Sequence, residues 1–343
     1  MEKTQIYRQL NTEEGVAALL AAAPQDFAEV YREADRVRRE AVGDVVHLRA
    51  IIEFSNVCKR QCRYCGLNRE NHRLERMRMS HGEIIAAAKE AVAVGYKTIV
   101  LQSGEDDFFT AERLGRMVQD IKSLGQVAVT LSCGERSEET YAYLRAKGAD
   151  RYLLKHETAD PALYARLHPC GTLEERVSAL KTLRALGYET GSGFMVGLPG
   201  QTLEILAKDL LLLKEIPCQM AGIGPFISNP KTPLGGKKNG DPELTRRCVA
   251  IARLLLPEAN LPVTTALSIL ARSEKGAGSE EADPGGLQEN PFAWGANVVM
   301  KKITPDLYKK AYEIYPAQLQ KTCVAGDRRQ LEETITNCGR TPR

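Results

Sequence analysis

Eight short, almost wholly apolar runs recur along this 343-residue chain, separated by longer amphipathic segments, and that alternation restricts the fold more than any other feature. The runs are 48–55, 97–102, 126–131, 150–155, 187–195, 220–226, 262–267 and 296–300, the fifth read more strictly as 188–196. Most lack the apolar–polar alternation of a half-solvated sheet, as expected of parallel strands covered on both faces. The intervening segments carry helix start signals: Ser80 with Glu83 three residues on, Thr172, and Thr202. Gly95, Gly125 and Gly148 follow helical periods as stop signals. Strand–helix units repeated eight times with right-handed crossovers close into an α/β (β/α)8 TIM-type barrel. An open six-stranded partial barrel is the alternative, and the seventh and eighth strands decide between the two.

The barrel is expected over 46–300. Residues 1–45 form an N-terminal helical extension, with two polar-rich helices within 12–41. Residues 301–343 form a short C-terminal helical segment packed on the barrel. The stretch 271–293 is rich in Gly, Ser, Glu and Pro and reads as a long loop after a strand end, on the face where barrel active sites lie. Lys and Arg total 47 against 44 Asp and Glu, a net charge of +3, which does not mark a polyanion binder. No basic run is interleaved with aromatics, so no nucleic-acid partner is expected. No run reaches the roughly 18 apolar residues of a membrane span, and the first residues lack the apolar core of a signal peptide. Nine cysteines are too few for a disulfide scaffold. A monomer in a reducing cytoplasm is the expectation.

Three of those cysteines, Cys58, Cys62 and Cys65, are spaced Cys-x-x-x-Cys-x-x-Cys just past the first strand. Thiolates are the usual protein ligands of iron–sulfur clusters, and three of them leave one iron of a [4Fe-4S] cluster open. Catalytic metal sites keep such an open position. A structural trio or half a zinc site is the plainer reading, but zinc needs a fourth ligand and only His72 lies close. The motif resembles the signature of radical S-adenosylmethionine (SAM) enzymes. That resemblance implies that SAM chelates the open iron and is reductively cleaved to a 5′-deoxyadenosyl radical.

Other polar residues sit at strand ends, where a parallel barrel gathers its functional groups. Tyr64, before the last cysteine, either lies against the adenine or packs the loop shut. Gln102, Ser103, Gly104 and Glu105 end the second strand, resembling the element that holds the SAM ammonium in this superfamily. Thr130 lies on the third strand. Lys155 and Glu157 alternate at the end of the fourth and so project to one side, a place for ribose hydroxyls and the methionyl carboxylate. Arg176 is a second, fork-shaped carboxylate partner. Met195, in the string GFMVGLPG, is a soft contact for the adenine. His156 is given no catalytic role.

The strings IIEFSNVCKRQCRYCGLNREN, TIVLQSGED, ADRYLLKHETADP, GYETGSGFMVGLPGQT, GIGPFISNPKTPL and GANVVM resemble the HydE family, radical SAM maturases of [FeFe]-hydrogenase, in order from about residue 46 to 316. The resemblance implies a complete barrel around a large cavity, with cluster and SAM at its top. It also implies an organometallic substrate, an iron–carbonyl–cyanide–cysteine complex supplied by HydG and passed on toward HydF. Arg151, Thr264 and Thr265 are expected to face the lumen, at most one of the two threonines lining it. Tyr308 and Tyr312, on one helical face, are expected to close the barrel or to pack as core. Three features depart from the family. Cys323 and Cys338 have no partner cysteine between them, so no second cluster is expected. Lys155 stands where the family has an arginine, a point charge in place of a fork. The 271–293 loop is longer. Cys133, Cys170, Cys218 and Cys248 lack ligand spacing. Competing functions are a related radical SAM enzyme acting on a small amino acid or sulfur metabolite, as in methylornithine synthase, and a non-catalytic carrier of iron–sulfur or iron–carbonyl units.

Overall fold

The structure, a computed structural model, describes residues 2–274, 290–316 and 321–343. Its centre is a ring of eight parallel strands: β1 (Val45–Ser55), β2 (Thr98–Ser103), β3 (Ala128–Ser132), β4 (Arg151–Leu153), β5 (Glu189–Ser192), β6 (Met220–Ala221), β7 (Pro262–Val263) and β8 (Val298–Lys302). Neighbours pair in chain order from β1 to β6, while β8 pairs with β1 and β7 with β8. The ring closes where Met220 bridges Asn260, with Ala221 N–H donating to Asn260 O at 3.1 Å and Asn260 N–H to Gln219 O at 2.9 Å. This is the full barrel expected from the eight runs, not the open six-stranded form.

Two layers of side chains follow from the pleat. Val46, Leu48, Ala50, Ile52 and Phe54 of β1 join the core between strands and outer helices. The alternate His47, Arg49, Ile51 and Glu53 face the lumen. That inner layer is polar: Arg151 Nε donates to Glu189 Oε2 at 2.6 Å and its Nη1 to Thr98 Oγ1 at 3.1 Å. Lys302 Nζ lies 2.7 Å from Glu53 Oε1, and Arg49 Nη1 reaches across to Met220 Sδ at 3.1 Å.

Helices begin where the sequence signals them. His81–Ala93 and Leu173–Ala185 open with capping boxes, Ser80 with Glu83 and Thr172 with Glu175, and Thr202 caps Leu203–Glu215. Gly95, after the first of these, has a φ of 101°, a turn that favours glycine. Three N-terminal helices, Lys3–Gln9, Glu13–Ala21 and Pro24–Val42, precede the barrel, one more than expected. The second packs against Leu203–Glu215 and the third against Pro242–Leu255, so they brace the side of the cylinder. Arg247 locks them there by donating from Nη1 to Leu20 O and Ala22 O at 3.0 and 2.6 Å. At the other end, Val324–Asn337 leads to Thr341–Pro342, which adds in parallel to the start of β1.

Several boundaries differ from expectation. The seventh run, read as 262–267, is a strand only at Pro262–Val263, because Thr265–Glu274 is already helix. The expected loop 271–293 therefore begins as helix through Glu274 and ends in a 3-10 turn, Pro291–Trp294. Residues 275–289 of it lie outside the described residues. β8 runs on to Lys302, so the segment from 301 begins as strand and is not wholly helical. Among the described residues no helix is long and apolar enough to cross a membrane.

Candidate active site

Beyond Ser55 the chain leaves β1 and winds through the cysteine loop with little secondary structure, so side chains must satisfy its backbone. Asn56, buried, donates to Glu75 O at 2.7 Å and Ala311 O at 2.5 Å and accepts from Met77 N–H at 2.7 Å. Arg76 donates to Asn56 O and Leu67 O, both at 2.8 Å, and to Asn68 O at 2.6 Å. Asp106 accepts from Ser55 Oγ and from both arms of Arg78, at 2.7 to 3.0 Å. The loop is thereby rigid without being regular.

Cys58, Cys62 and Cys65 are all free thiols, partly exposed at the barrel mouth. Gly104, at the end of β2, runs so close to them that a Cβ there would lie 2.3 Å from Val57 O and 2.7 Å from Cys58 Cβ. The next residue, Glu105, aims its N–H at Cys58 Sγ, 3.4 Å away. Burial raises the pKa of Cys58 and pushes Cys65 up to about 12. Cys62 is driven well above the ordinary thiol range by burial and then by the charges of Cys65 and Cys58. Three adjacent buried thiolates are tenable only beside compensating positive charge. Among the described residues no three His, Cys, Asp or Glu side chains close around one metal ion. Cluster ligands bind separate irons and need not converge on a point. The donor set fits a cubane and not a mononuclear site.

Around the thiols runs a chain of alternating charges. Glu105 accepts from Arg60 and, at 2.9 Å, from Glu135 N–H. Arg60 Nη2 reaches Glu135 Oε2 at 2.6 Å, and Arg176 Nε donates to Glu135 Oε1. Arg176 Nη1 also holds Lys155 O at 2.7 Å. Lys155 and Glu157 do face each other, Nζ to Oε2 at 3.3 Å, but not as strand neighbours. β4 ends at Leu153, and Glu157 sits in the left-handed region at φ 66°. Despite that ion-pair distance, Oε2 of Glu157 has no partner in hydrogen-bond geometry. Although burial opposes it, the positive charges of Lys155 and Arg176 hold the Glu157 pKa below its ordinary value.

Other expected residues also fall at the mouth or in the lumen. Tyr64 and Met195 pack with Leu163, Leu198 and Phe226 beside the cysteine loop. Gln102, at the end of β2, sits beside Tyr312, which is buried against Leu67 and Leu74. Ser103 turns its hydroxyl to Gly104 O at 2.8 Å. Thr130 is buried on β3 with its hydroxyl unpartnered. Thr264 lies just past β7 with its side chain against Gly224, whereas Thr265 starts the next helix. Tyr308 donates its hydroxyl to Glu83 Oε1 at 2.6 Å, in the first turn of the outer helix His81–Ala93. His156 is fully buried, its Nδ1 2.9 Å from Ser192 Oγ.

Sequence reasoning did not single out Arg60, Glu135, Arg76, Asn56, His168 or the Glu53–Lys302 pair. Only the density of arginines around the cysteines hinted at the first group. His168, buried beside Cys62, has its pKa pushed down to about 4, by burial first and the nearby Arg176 second.

A barrel closed over a polar lumen, with an open three-thiolate set at its mouth, defines the architecture of a radical SAM enzyme. Residues 52–213 match the Radical SAM superfamily. Over 309 residues, 90% of this chain and 85% of the other, the sequence is 48% identical to the [FeFe] hydrogenase maturase subunit HydE of Thermotoga maritima. The chain belongs to the HydE family within that superfamily. It is also 29% identical to a 3-methylornithine synthase of Methanosarcina acetivorans, covering 75% of this chain and 73% of that one. The crystal structure of methylornithine synthase (PylB) shares the fold, with a TM-score of 0.83 at 24% identity over 99% of this chain and 97% of that one. Membership implies a [4Fe-4S] cluster and SAM as cofactors.

Proposed function

We propose that this chain acts in [FeFe]-hydrogenase maturation, using SAM radical chemistry on an iron–carbonyl–cyanide–cysteine complex held in the barrel lumen. The observation that carries this reading is the three free thiols Cys58, Cys62 and Cys65 at the mouth of a closed, polar-walled cylinder. These three thiols would hold a [4Fe-4S] cluster with one iron left open for SAM. When bound, the pair would supply reductive cleavage of SAM to a 5′-deoxyadenosyl radical.

The chain's own residues bind, orient and exclude water. Glu105 retains lone pairs for the SAM ammonium beyond those used by Arg60 and Glu135 N–H. Gln102, Ser103 and Gly104 offer backbone beside it. Lys155 and Arg176 attract the methionyl carboxylate, and Glu157, beside Lys155, accepts from a ribose hydroxyl. Tyr64 and Met195 form an apolar wall for the adenine. Deeper in, Thr130, Arg151 and Thr264 meet an anionic substrate, with Thr265 at the rim. The barrel over 46–300 is the working unit, and the segments 1–45 and 301–343 brace it. A closed ring of strands would shield a radical formed inside it from bulk solvent. The substrate would arrive from a HydG-like maturase and the product leave toward a HydF-like one, with this chain acting as a monomer in the cytoplasm.

The test is anaerobic: reconstitute with iron and sulfide, reduce, add SAM, and follow 5′-deoxyadenosine with the iron complex or with lysine. Strong stimulation by the complex alone supports the reading; stimulation by lysine alone moves the chain to amino-acid chemistry. Cys62→Ala should abolish both the cubane absorption and turnover, and retained turnover refutes the site.

A further inference from the structure

A narrow crevice opens onto Cys62 between Arg60, Gln61, Tyr164, His168, Cys170 and Arg176. His168 is buried there, its ring stacked on Tyr164 with centroids 4.4 Å apart and meeting Tyr64 edge-on at 5.3 Å. Its Nδ1 lies 3.4 Å from Cys62 Sγ, and its Nε2 lies 3.5 Å from the Tyr64 hydroxyl. A thiolate can only accept, whereas a phenol donates readily, so these partners place the ring proton on Nδ1, facing the sulfur. The backbone fixes the arrangement: Arg63 N–H donates to Leu167 O at 3.0 Å, and His168 N–H to Tyr164 O at 2.8 Å. The segment carrying His168 is thus clamped onto the cysteine loop from outside the motif itself.

We infer that His168 is a positioning residue for the cluster: its Nδ1–H bonds the Cys62 thiolate, Tyr64 holds the ring in that tautomer, and the bond raises the cluster's reduction potential. The inference rests on the radical SAM reading of the site. A donor at the ligand sulfur withdraws negative charge and stabilises the reduced cluster, which carries one electron more, above the oxidised one. Hydrogen bonds to cluster sulfurs are an established lever on potential, and partners beyond the ligands tune metal sites generally. Cys58 receives its donor from backbone, the Glu105 N–H, which no side-chain change short of proline removes. Cys62 receives its donor from a side chain, so this half of the tuning is open to change one residue at a time.

The experiment is a mediator titration of the full-length, anaerobically reconstituted chain without SAM, read by the electron paramagnetic resonance of the reduced cluster. His168→Leu removes the donor and should move the midpoint to more negative potential at unchanged iron content. His168→Asn offers an amide N–H at nearly the same place and should return it most of the way. Tyr64→Phe should shift it in the same direction as Leu, but less. A Leu variant at the wild-type midpoint overturns the inference, as do Leu and Asn variants shifted alike. Should the Leu variant fail to take up a cluster, Tyr64→Phe decides: a shifted midpoint supports the bond and an unshifted one overturns it. Failure of the underlying reading looks different, since the wild-type chain would then show no cubane signal at all.

Discussion

Gly104→Ala tests whether the cysteine loop is held by backbone contact. The new Cβ would stand 2.3 Å from Val57 O, 2.9 Å from the Val57 carbonyl carbon and 2.7 Å from Cys58 Cβ. Non-bonded carbon contacts are optimal at about 3.5–4.0 Å, so the two segments must part by on the order of 1 Å. Overpacking of that kind costs about 1–3 kcal/mol and lowers Tm by a few degrees in a chain of this size. Metal–ligand distances tolerate only about 0.2 Å. Displacement of Cys58 therefore exceeds what cluster binding allows well before it threatens the barrel. The assay pairs iron content and visible absorption after anaerobic reconstitution with a circular-dichroism melt. Expected is a folded protein with little iron. Gly82→Ala is the control, since nothing lies within 4 Å of its Cβ and its backbone is unstrained, and it should load fully. A Gly104→Ala protein with wild-type iron content refutes the argument.

Further outcomes follow from the same contacts. Asn56→Ala removes three hydrogen bonds of a buried side chain and should cost about 3 kcal/mol at roughly 1 kcal/mol each, read as a lower urea midpoint; a shift within error contradicts it. Glu33 is held at about 2 by its hydrogen bond to Arg36. Its folded value lies below its unfolded one, so its stabilisation is present above about pH 4 and fades as pH falls toward 2. Glu33→Gln should flatten that acid limb of stability, and an unchanged slope between pH 5 and 2 counts against the pair. Arg247→Met loses both carbonyl bonds and the guanidinium lying 4.6 Å over the Phe27 ring. It should destabilise by about 2 kcal/mol and hasten proteolysis within 1–42; equal cleavage rates would show the N-terminal helices to be held otherwise.

The barrel was readable because each strand is buried on both faces and so writes a continuous apolar run. Strand ends were not. Leu154 and Leu267 extend apolar runs past the last ladder pair because they serve the outer core, where burial and not strand pairing selects the residue. The cysteine trio was legible from local spacing alone. Its clamp was not, since Asn56 reaches residue 311, Arg60 reaches Cys170 and Cys62 meets His168, partners that only chain closure brings together. Lys155 and Glu157 came together by a different route from the one expected: a left-handed residue turned the carboxylate back toward the ammonium after the strand had ended. Tyr308 and Tyr312 do not share a helical face, because the helix that carries Tyr308 ends at Lys309.

The closure at Met220 and Asn260 is a seam of unequal stitching. β1 and β2 share five registered residue pairs, whereas β6 and β7 meet through a single bridge. Local opening follows the fewest bonds broken, so the staves between those two strands are the first to part when the cylinder breathes. Amide hydrogens at Ala221 and Asn260 would exchange soonest among the inner staves, and a bulky cargo that loosens the wall would find its hinge there.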